Sequence, residues 1–320
     1  MAILKPAHAA AIARLRSYVP PPTRYYSLPL SRRAAVLVLL YGGQQGELRV
    51  LLTMRARGLN AYGGHSSFPG GRADDLCETP FQTARREAHE EIGLSRDDSR
   101  IPPPFRIEHL CQLPANLART ELGVRPCIAH LYPDPTSSSA VTPSVEEAII
   151  PQLDAREVAA VFTAPFRSFL KQSHGLDHVS ENAEGYGVET TASPAQFYRG
   201  AWTDWHEARW RMHSFYIPVR DQVVTWSTQG LMANGADKEP AEHKLTAQGD
   251  MERFRVFGMT ARILVDAARL AFAEEPEFEH NAAFGDEDMI GRLLKVGRLS
   301  QVRRKSDELT KEDMVAAAKL

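Results

Sequence analysis

The sequence predicts an α/β fold built on a mixed β-sheet. Three observations carry that expectation. Two apolar runs near the start, RRAAVLVLLY and ELRVLLTMR, have the length of strands and are joined by the turn Gly42-Gly43-Gln44-Gln45-Gly46. A capped amphipathic helix follows at residues 79–92. Further runs rich in β-branched and apolar residues, FRIEHLCQL and LGVRPCIAHLY, come after it, so strands and helices mix without strict alternation.

Residues 1–31 read as a lead-in, with a short surface helix over Ala9–Tyr18 and then the linker Pro20-Pro21-Pro22. The same stretch is free of acids and carries Lys5, Arg14, Arg16 and Arg24. That make-up also fits a mitochondrial transit peptide, although serine is sparse before Pro20. Residues 32–276 form the main unit. Within it, DAREVAAVFTAPFRSFL reads as a strand or bend leading into a short helix. Insertions are expected near 171–200 and 226–250, where periodicity is lost. Between them lies AWTDWHEARWRMHSFYIPV, three tryptophans followed by a strand. Trp202, Trp205 and Trp210 are read as core rather than as stacking partners for an adenine. FRVFGMTARILVDAARLAFAEE reads as one amphipathic helix with a stripe of Ile263, Leu264, Ala267, Leu270 and Ala271. The charged tail, 277–320, reads as peripheral.

Composition sets the outer bounds. The chain is 43% hydrophobic and 24% charged, enough for a sizeable core. A net charge of −2 gives no bulk attraction to nucleic acid or to acidic membranes. No apolar run reaches the roughly 18 residues of a membrane helix. Cys77, Cys111 and Cys127 match neither a disulfide framework nor a CxxC site and read as reduced thiols.

The helix carries the chemistry. Thr79 is a good N-cap, Pro80 suits the first helical position, Gln82 completes a capping box, and Gly93 supplies the stop. Phe81, Ala84, Ala88 and Ile92 make its buried face. Glu87, Glu90 and Glu91 fall at i, i+3 and i+4 and converge on another face. Three carboxylates so placed repel one another, and a hard divalent cation such as Mg²⁺ relieves the repulsion. A solvated acidic face would explain the glutamates but not the sequence before them. There, Phe68-Pro69-Gly70-Gly71 ends a strand in a glycine turn that lets backbone approach a ligand closely. Arg86 can pair with Glu90 or reach back to Glu78.

The stretch GGRADDLCETPFQTARREAHEEIGL resembles the Nudix box, matching each fixed position from Glu78 through Arg86 to Leu94, with Ala88 in the apolar slot. One departure exists: Arg72 stands where the box has glycine, and Gly71 comes one residue early. The resemblance implies a Nudix fold, a mixed sheet sandwiched between α-helices. It also implies hydrolysis of nucleoside diphosphates linked to another group with Mg²⁺ or Mn²⁺. Glu87, Glu90 and Glu91 would hold the metal, and a carbonyl of Gly70-Gly71 would add to the set. Arg86 and Glu78 would clamp the loop, and Glu87 or Glu90 would accept the proton of the attacking water.

The upstream segment LLTMRARGLNAYGGHSSFPGG resembles the coenzyme A diphosphatase branch in Leu52, Thr53, Arg55, Leu59, Gly64 and Phe68–Gly71. That branch shares the longer loop. LPANLARTELGVRP and FGMTARIL resemble its fungal members. Asn60, Tyr62 and His65 depart from the bacterial pattern. The implied reaction splits CoA into adenosine 3′,5′-bisphosphate and 4′-phosphopantetheine, with Arg55 and Arg57 as phosphate-binding candidates. Another dinucleotide such as NADH or ADP-ribose, or a capped RNA end, is the alternative substrate. A binding module without hydrolysis would have lost box glutamates, and all are present. Glu146 and Glu147 read as a solvated pair in a loop, although a loop glutamate is the base in some Nudix enzymes, and Glu157 reads as fixing a turn. His65 and His89 flank the site, with His89 on the exposed side of the helix. The final Ala318-Lys319-Leu320 is one conservative step from the peroxisomal address SKL, for which an import receptor would be the partner. Cytoplasm and mitochondrion are the alternative settings.

Overall fold

The computed structural model describes residues 3–56, 63–134, 145, 153–173, 197–205, 208–219, 222, 224–227, 253–301 and 311–319. Arg57, Leu59, Asn60, Tyr62, Glu146 and Glu147 lie outside them, as do most of the two expected insertions.

Helix α1 (Pro6–Ser17) leads into β1 (Arg33–Gly42), β2 (Leu48–Arg55), β3 (Ser66–Ser67) and β4 (Gly70–Arg72). Helix α2 (Pro80–Ile92) follows, then β5 (Phe105–Gln112), β6 (Asn116–Leu117), β7 (Gly123–Pro133) and β8 (Val158–Pro165). After these come β9 (Tyr198–Trp205), β10 (Ala208–Pro218), β11 (Thr225–Trp226) and β12 (Arg253–Phe257). The chain closes with α3 (Gly258–Phe272), α4 (Glu287–Lys295) and α5 (Lys311–Ala318).

The main sheet runs β11-β8-β2-β1-β7-β5, with the short strands β3, β4 and β6 paired to β2, β1 and β7. It is mixed because β1 and β7 pair in parallel while their other neighbours are antiparallel. Period-two alternation decides its two faces. Ala35, Leu37, Leu39 and Tyr41 of β1 pack with Ala84, Ala88 and Ile92 of α2. Val38 and Leu40 face the other way, with Val50 and Leu52, onto α1, α3 and the small sheet β12-β10-β9. The sheet is therefore covered on both faces, and α2 lies against β1 and β4.

Four expectations change. The lead-in helix is not a surface helix, since Ala11, Ile12 and Leu15 are buried in the core beside α3. The stretch from Phe254 to Val256 alternates buried and exposed residues, so it extends as β12. Gly258, at φ +64, then turns the chain into α3. The tryptophan segment folds as a hairpin, β9 to β10, in which Trp202 is 36% exposed and donates from Nε1 to Glu279 at 2.8 Å.

The charged tail is in part built into the fold. Ile290 and Leu293 of α4 pack with Tyr25, Leu28, Leu117 and Ala317. Glu287 Oε1 accepts hydrogen bonds from Thr23 Oγ1 at 2.7 Å, Ala115 N at 2.8 Å and Arg125 Nη1 at 3.0 Å, and its Oε2 accepts from Arg24 N at 2.6 Å. Arg32, 1% exposed, pairs with Glu121, which also pairs with Arg298 at 3.0 Å. Among the described residues no helix is long and apolar enough to cross a membrane.

Candidate active site

The glutamate helix forms as its caps dictate. Thr79 Oγ1 accepts from Gln82 N at 3.3 Å while the Gln82 side chain accepts from Thr79 N at 2.9 Å. At the far end Gly93 is left-handed at φ +74, and the Gly93 and Leu94 amides bond back to His89 and Ala88. Gly93 N donates to His89 O at 3.0 Å, and buried Leu94 joins Ala88 in the core.

Both glycines of Phe68-Pro69-Gly70-Gly71 are required, and for different reasons. Together with Arg72 they form β4 rather than a free turn, paired with Ala34, Ala35 and Val36 of β1. At Gly70, with φ +153, a Cβ would meet Ala35 O at 2.4 Å and Val36 Cα at 2.7 Å. At Gly71 a Cβ would meet the Glu87 carboxylate at 2.4 Å. The first glycine lets two strands touch, and the second leaves room for a carboxylate.

Arg86 is the hub. It is 8% exposed in its side chain and reaches Glu78 Oε1 from Nε at 2.8 Å. Its Nη2 donates to Arg72 O at 2.7 Å, and its Nη1 donates to Glu87 Oε1 at 3.1 Å and Glu90 Oε2 at 3.3 Å. The two pairings weighed from sequence, to Glu78 and to Glu90, are thus made at once. The Glu78 hydrogen bond leads the forces that hold the guanidinium charged. Burial would raise the Glu78 carboxyl, but hydrogen bonds from Arg86, Asp74 N and Thr83 outweigh it and hold it below its usual range.

The three helix carboxylates differ in setting. Glu90 is half exposed at 54%. Glu87 is more enclosed, and burial raises its proton affinity against the pull of Arg86. Glu91 is 3% exposed and accepts from Gly70 N at 3.2 Å. Burial pushes its carboxyl up to about 8, against Gly70 N–H and Arg55, whose Nη1 lies 3.9 Å away. Among the described residues no three acidic, histidine or cysteine side chains stand close enough together to hold one ion as they are. Glu87 and Glu90 instead lean on Arg86, while Glu91 turns to the backbone.

The donor set nevertheless fits a hard divalent cation. Three oxygen-bearing side chains share one helix face, Gly71 leaves room for the Glu87 carboxylate, and burial makes two of the carboxylates bind protons more tightly than usual. Glu157, in the turn just before β8, adds to the effect of burial. Its charge raises the proton affinity of both Glu87 and Glu91. The sequence places Glu157 in a turn and the structure agrees, with Glu157 N donating to Asp154 O at 3.0 Å, but only the docking of β8 beside α2 brings it near the helix carboxylates.

The upstream segment also resolves into parts. Thr53 Oγ1 lies 2.9 Å from Ser67 Oγ and clasps β2 to β3. Arg55, at the end of β2, turns toward Glu91, and His89 is exposed on the helix as expected.

Comparisons with known proteins identify the family. The NUDIX domain profile matches residues 31–178. The chain is 30% identical over 305 residues to peroxisomal coenzyme A diphosphatase 1 of Saccharomyces cerevisiae, covering 92% of this chain and 85% of that protein. It is 33% identical to the Caenorhabditis elegans peroxisomal coenzyme A diphosphatase ndx-8 over 44% of this chain and 52% of that one. It is 35% identical to Nudix hydrolase 15, mitochondrial, of Arabidopsis thaliana over 45% of this chain and 43% of that one. The chain therefore belongs to the Nudix family of hydrolases and is a pyrophosphohydrolase. Members of the family generally use divalent metal ions.

Proposed function

We propose that the chain hydrolyses the pyrophosphate of coenzyme A or a CoA derivative, releasing adenosine 3′,5′-bisphosphate and 4′-phosphopantetheine or its acylated form. One observation carries this reading. The match to the yeast protein named a coenzyme A diphosphatase runs over 92% of this chain, well beyond the NUDIX domain itself. The name of the nematode relative supports it.

In this reading Glu87, Glu90 and Glu91 hold Mg²⁺ or Mn²⁺. A bound cation supplies charge neutralisation for the pyrophosphate and makes a water more acidic. The chain's own residues do the rest. Arg86 and Glu78 hold the β4 loop against α2. Gly70 and Gly71 let that loop lie close enough for substrate phosphate to approach the carboxylates. Arg55 offers a guanidinium beside Glu91 for phosphate oxygens. Glu87 or Glu90 accepts the proton from the attacking water.

The relatives named peroxisomal also support a peroxisomal setting, which Ala318-Lys319-Leu320 and an import receptor would serve. A fluorescent fusion with and without Leu320→Ala tests that: loss of punctate signal supports it, and an unchanged distribution rejects it. The activity is tested by incubating purified protein with either metal and CoA, NADH or ADP-ribose, and separating the products. Fastest cleavage of CoA, lost in Glu90→Gln, supports the reading. Faster cleavage of another dinucleotide replaces the substrate and keeps the mechanism.

A further inference from the structure

The α2 site continues into a cationic and aromatic strip that ends on a strand far along the chain. Arg55 N donates to His65 O at 3.0 Å and Arg55 O accepts from Gly64 N at 2.9 Å, so Arg55 and His65 are neighbours across the return from β2 to β3. The Arg55 side chain is 28% exposed, and its Nε is buried with no hydrogen-bond partner among the described residues. The His65 ring meets the Phe257 ring at 4.8 Å between centroids. The guanidinium of Arg255 lies 4.4 Å from the centroid of that same Phe257 ring. Alternation along β12 puts Arg255 and Phe257 on one face, while Phe254 and Val256 are buried at 2% and 0%.

This juxtaposition is held by the fold. Thr260 Oγ1 donates to Ser66 O at 3.3 Å, which pins the start of α3, and β12 before it, to β3. The Arg255 hydrogen bond runs to an uncharged partner, Ser214 Oγ, at 3.4 Å. Burial first, and then the charges of Arg255 and Arg55, hold His65 toward its neutral form, so both guanidinium groups are felt at one imidazole.

A cationic strip leading away from the carboxylates has one natural occupant if the substrate is CoA, and the assignment rests on that reading. The pyrophosphate belongs over α2. The pantetheine arm carries no charge near neutral pH. The remaining anion is the phosphomonoester on the nucleoside. We propose that Arg255, with Arg55 and the His65–Phe257 ring pair, forms the subsite for the nucleoside end of the substrate and selects for its 3′-phosphate. Arginine suits a phosphate because its donors form a planar fork, and an aromatic face beside it suits a purine. The NUDIX domain match ends at residue 178, so the subsite draws a determinant of specificity from outside it.

The experiment compares wild type, Arg255→Ala and Arg255→Lys by steady-state kinetics on CoA and on 3′-dephospho-CoA. Arg209→Ala serves as a control that removes a similar charge from the small sheet at Trp202. The expected result is a KM for CoA raised about tenfold in Arg255→Ala, with kcat within about twofold and 3′-dephospho-CoA unaffected. Lysine should restore the KM only in part, and Arg209→Ala should leave it unchanged. Equal loss on both substrates, loss confined to kcat, or no change overturns the subsite. If wild type cleaves neither compound, the substrate reading has failed, and direct binding decides the subsite alone. Tighter binding of adenosine 3′,5′-bisphosphate than of AMP, lost in Arg255→Ala, sustains it. Equal binding of the two nucleotides rejects it.

Discussion

Gly71 lies so close to Glu87 that a Cβ on it would come within 2.4 Å of the carboxylate. Its neighbour Gly70 meets backbone instead, at Ala35 and Val36. The two glycines should therefore fail differently. In Gly71→Ala the strand keeps its pairing but the carboxylate must move. We expect kcat to fall about a hundredfold, the scale of a 1 Å misplacement, with the melting temperature nearly unchanged. In Gly70→Ala the clash is with backbone at a positive φ, and about 1–3 kcal/mol of stability should be lost as well. Urea unfolding beside initial rates separates the two. Matching behaviour of both variants would contradict the assignment.

Arg86 joins α2 to the loop before it through Glu78, Arg72 O and two of the helix carboxylates. Arg86→Ala should cost about 3–5 kcal/mol, the range for removing one partner of a buried ion pair, since Glu78 is left enclosed with its charge. Arg86→Lys should recover part of that but not the fork of contacts. A midpoint of urea unfolding that barely moves in Arg86→Ala would mean that the loop is held by other contacts.

Glu287 ties α4 to Thr23, Arg24, Ala115 and Arg125 at once. Glu287→Ala should destabilise the protein by about 3 kcal/mol, because Arg125, 3% exposed, loses its carboxylate partner. Deleting everything after Pro276 should do more, exposing Tyr25, Leu28 and Leu117. Differential scanning calorimetry of the two variants checks this, and a truncated chain as stable as the whole would show the tail to be dispensable.

Acid should weaken the fold through buried histidines. Burial pushes His213 down to about 3 and His130 down to about 4. An unfolded histidine takes up a proton near pH 6.5. Below that value the unfolded chain binds protons that the folded one refuses. The stabilising contribution is therefore full above about pH 6.5 and is lost as pH falls toward the folded values, by about 1.4 kcal/mol per pH unit for each histidine. Glu91, raised to about 8, gains stability over the same window, so the loss is read as a difference: from about pH 7.5 to about pH 5 the urea midpoint of His213→Gln should rise relative to that of wild type. A difference between the two midpoints that does not change with pH in that window would contradict the neutral burial of His213.

Much of this molecule could be read from its sequence, and the exceptions share a cause. The caps of α2 and the apolar face of Ala84, Ala88 and Ile92 are local signals, legible within seventeen residues of chain. Helix spacing offers Arg86 to Glu90, and the Nudix resemblance implies its pairing with Glu78. What could not be read depends on contacts between distant segments. Glu157 comes to Glu87 through β8, Arg255 comes to His65 through β12, and Glu287 finds Arg24 and Arg125 across most of the chain. The composition of the tail concealed its role, because a charged segment reads as solvated until its carboxylate is seen to accept four hydrogen bonds. FRVF read as helix because the apolar stripe behind it is strong. Its own period is two, and Gly258 breaks the run.

Glu87, Glu90 and Glu91 should share one cation. The most direct measurement is Mn²⁺ binding without substrate, followed by loss of the free-ion electron paramagnetic resonance signal. Wild type should bind Mn²⁺ and Mg²⁺ should compete it away. Glu91→Gln should weaken that binding by about tenfold or more while the protein stays folded. Equal Mn²⁺ affinity in wild type and in the Glu91→Gln and Glu87→Gln variants would contradict the claim, and the carboxylate face of α2 would then need another explanation.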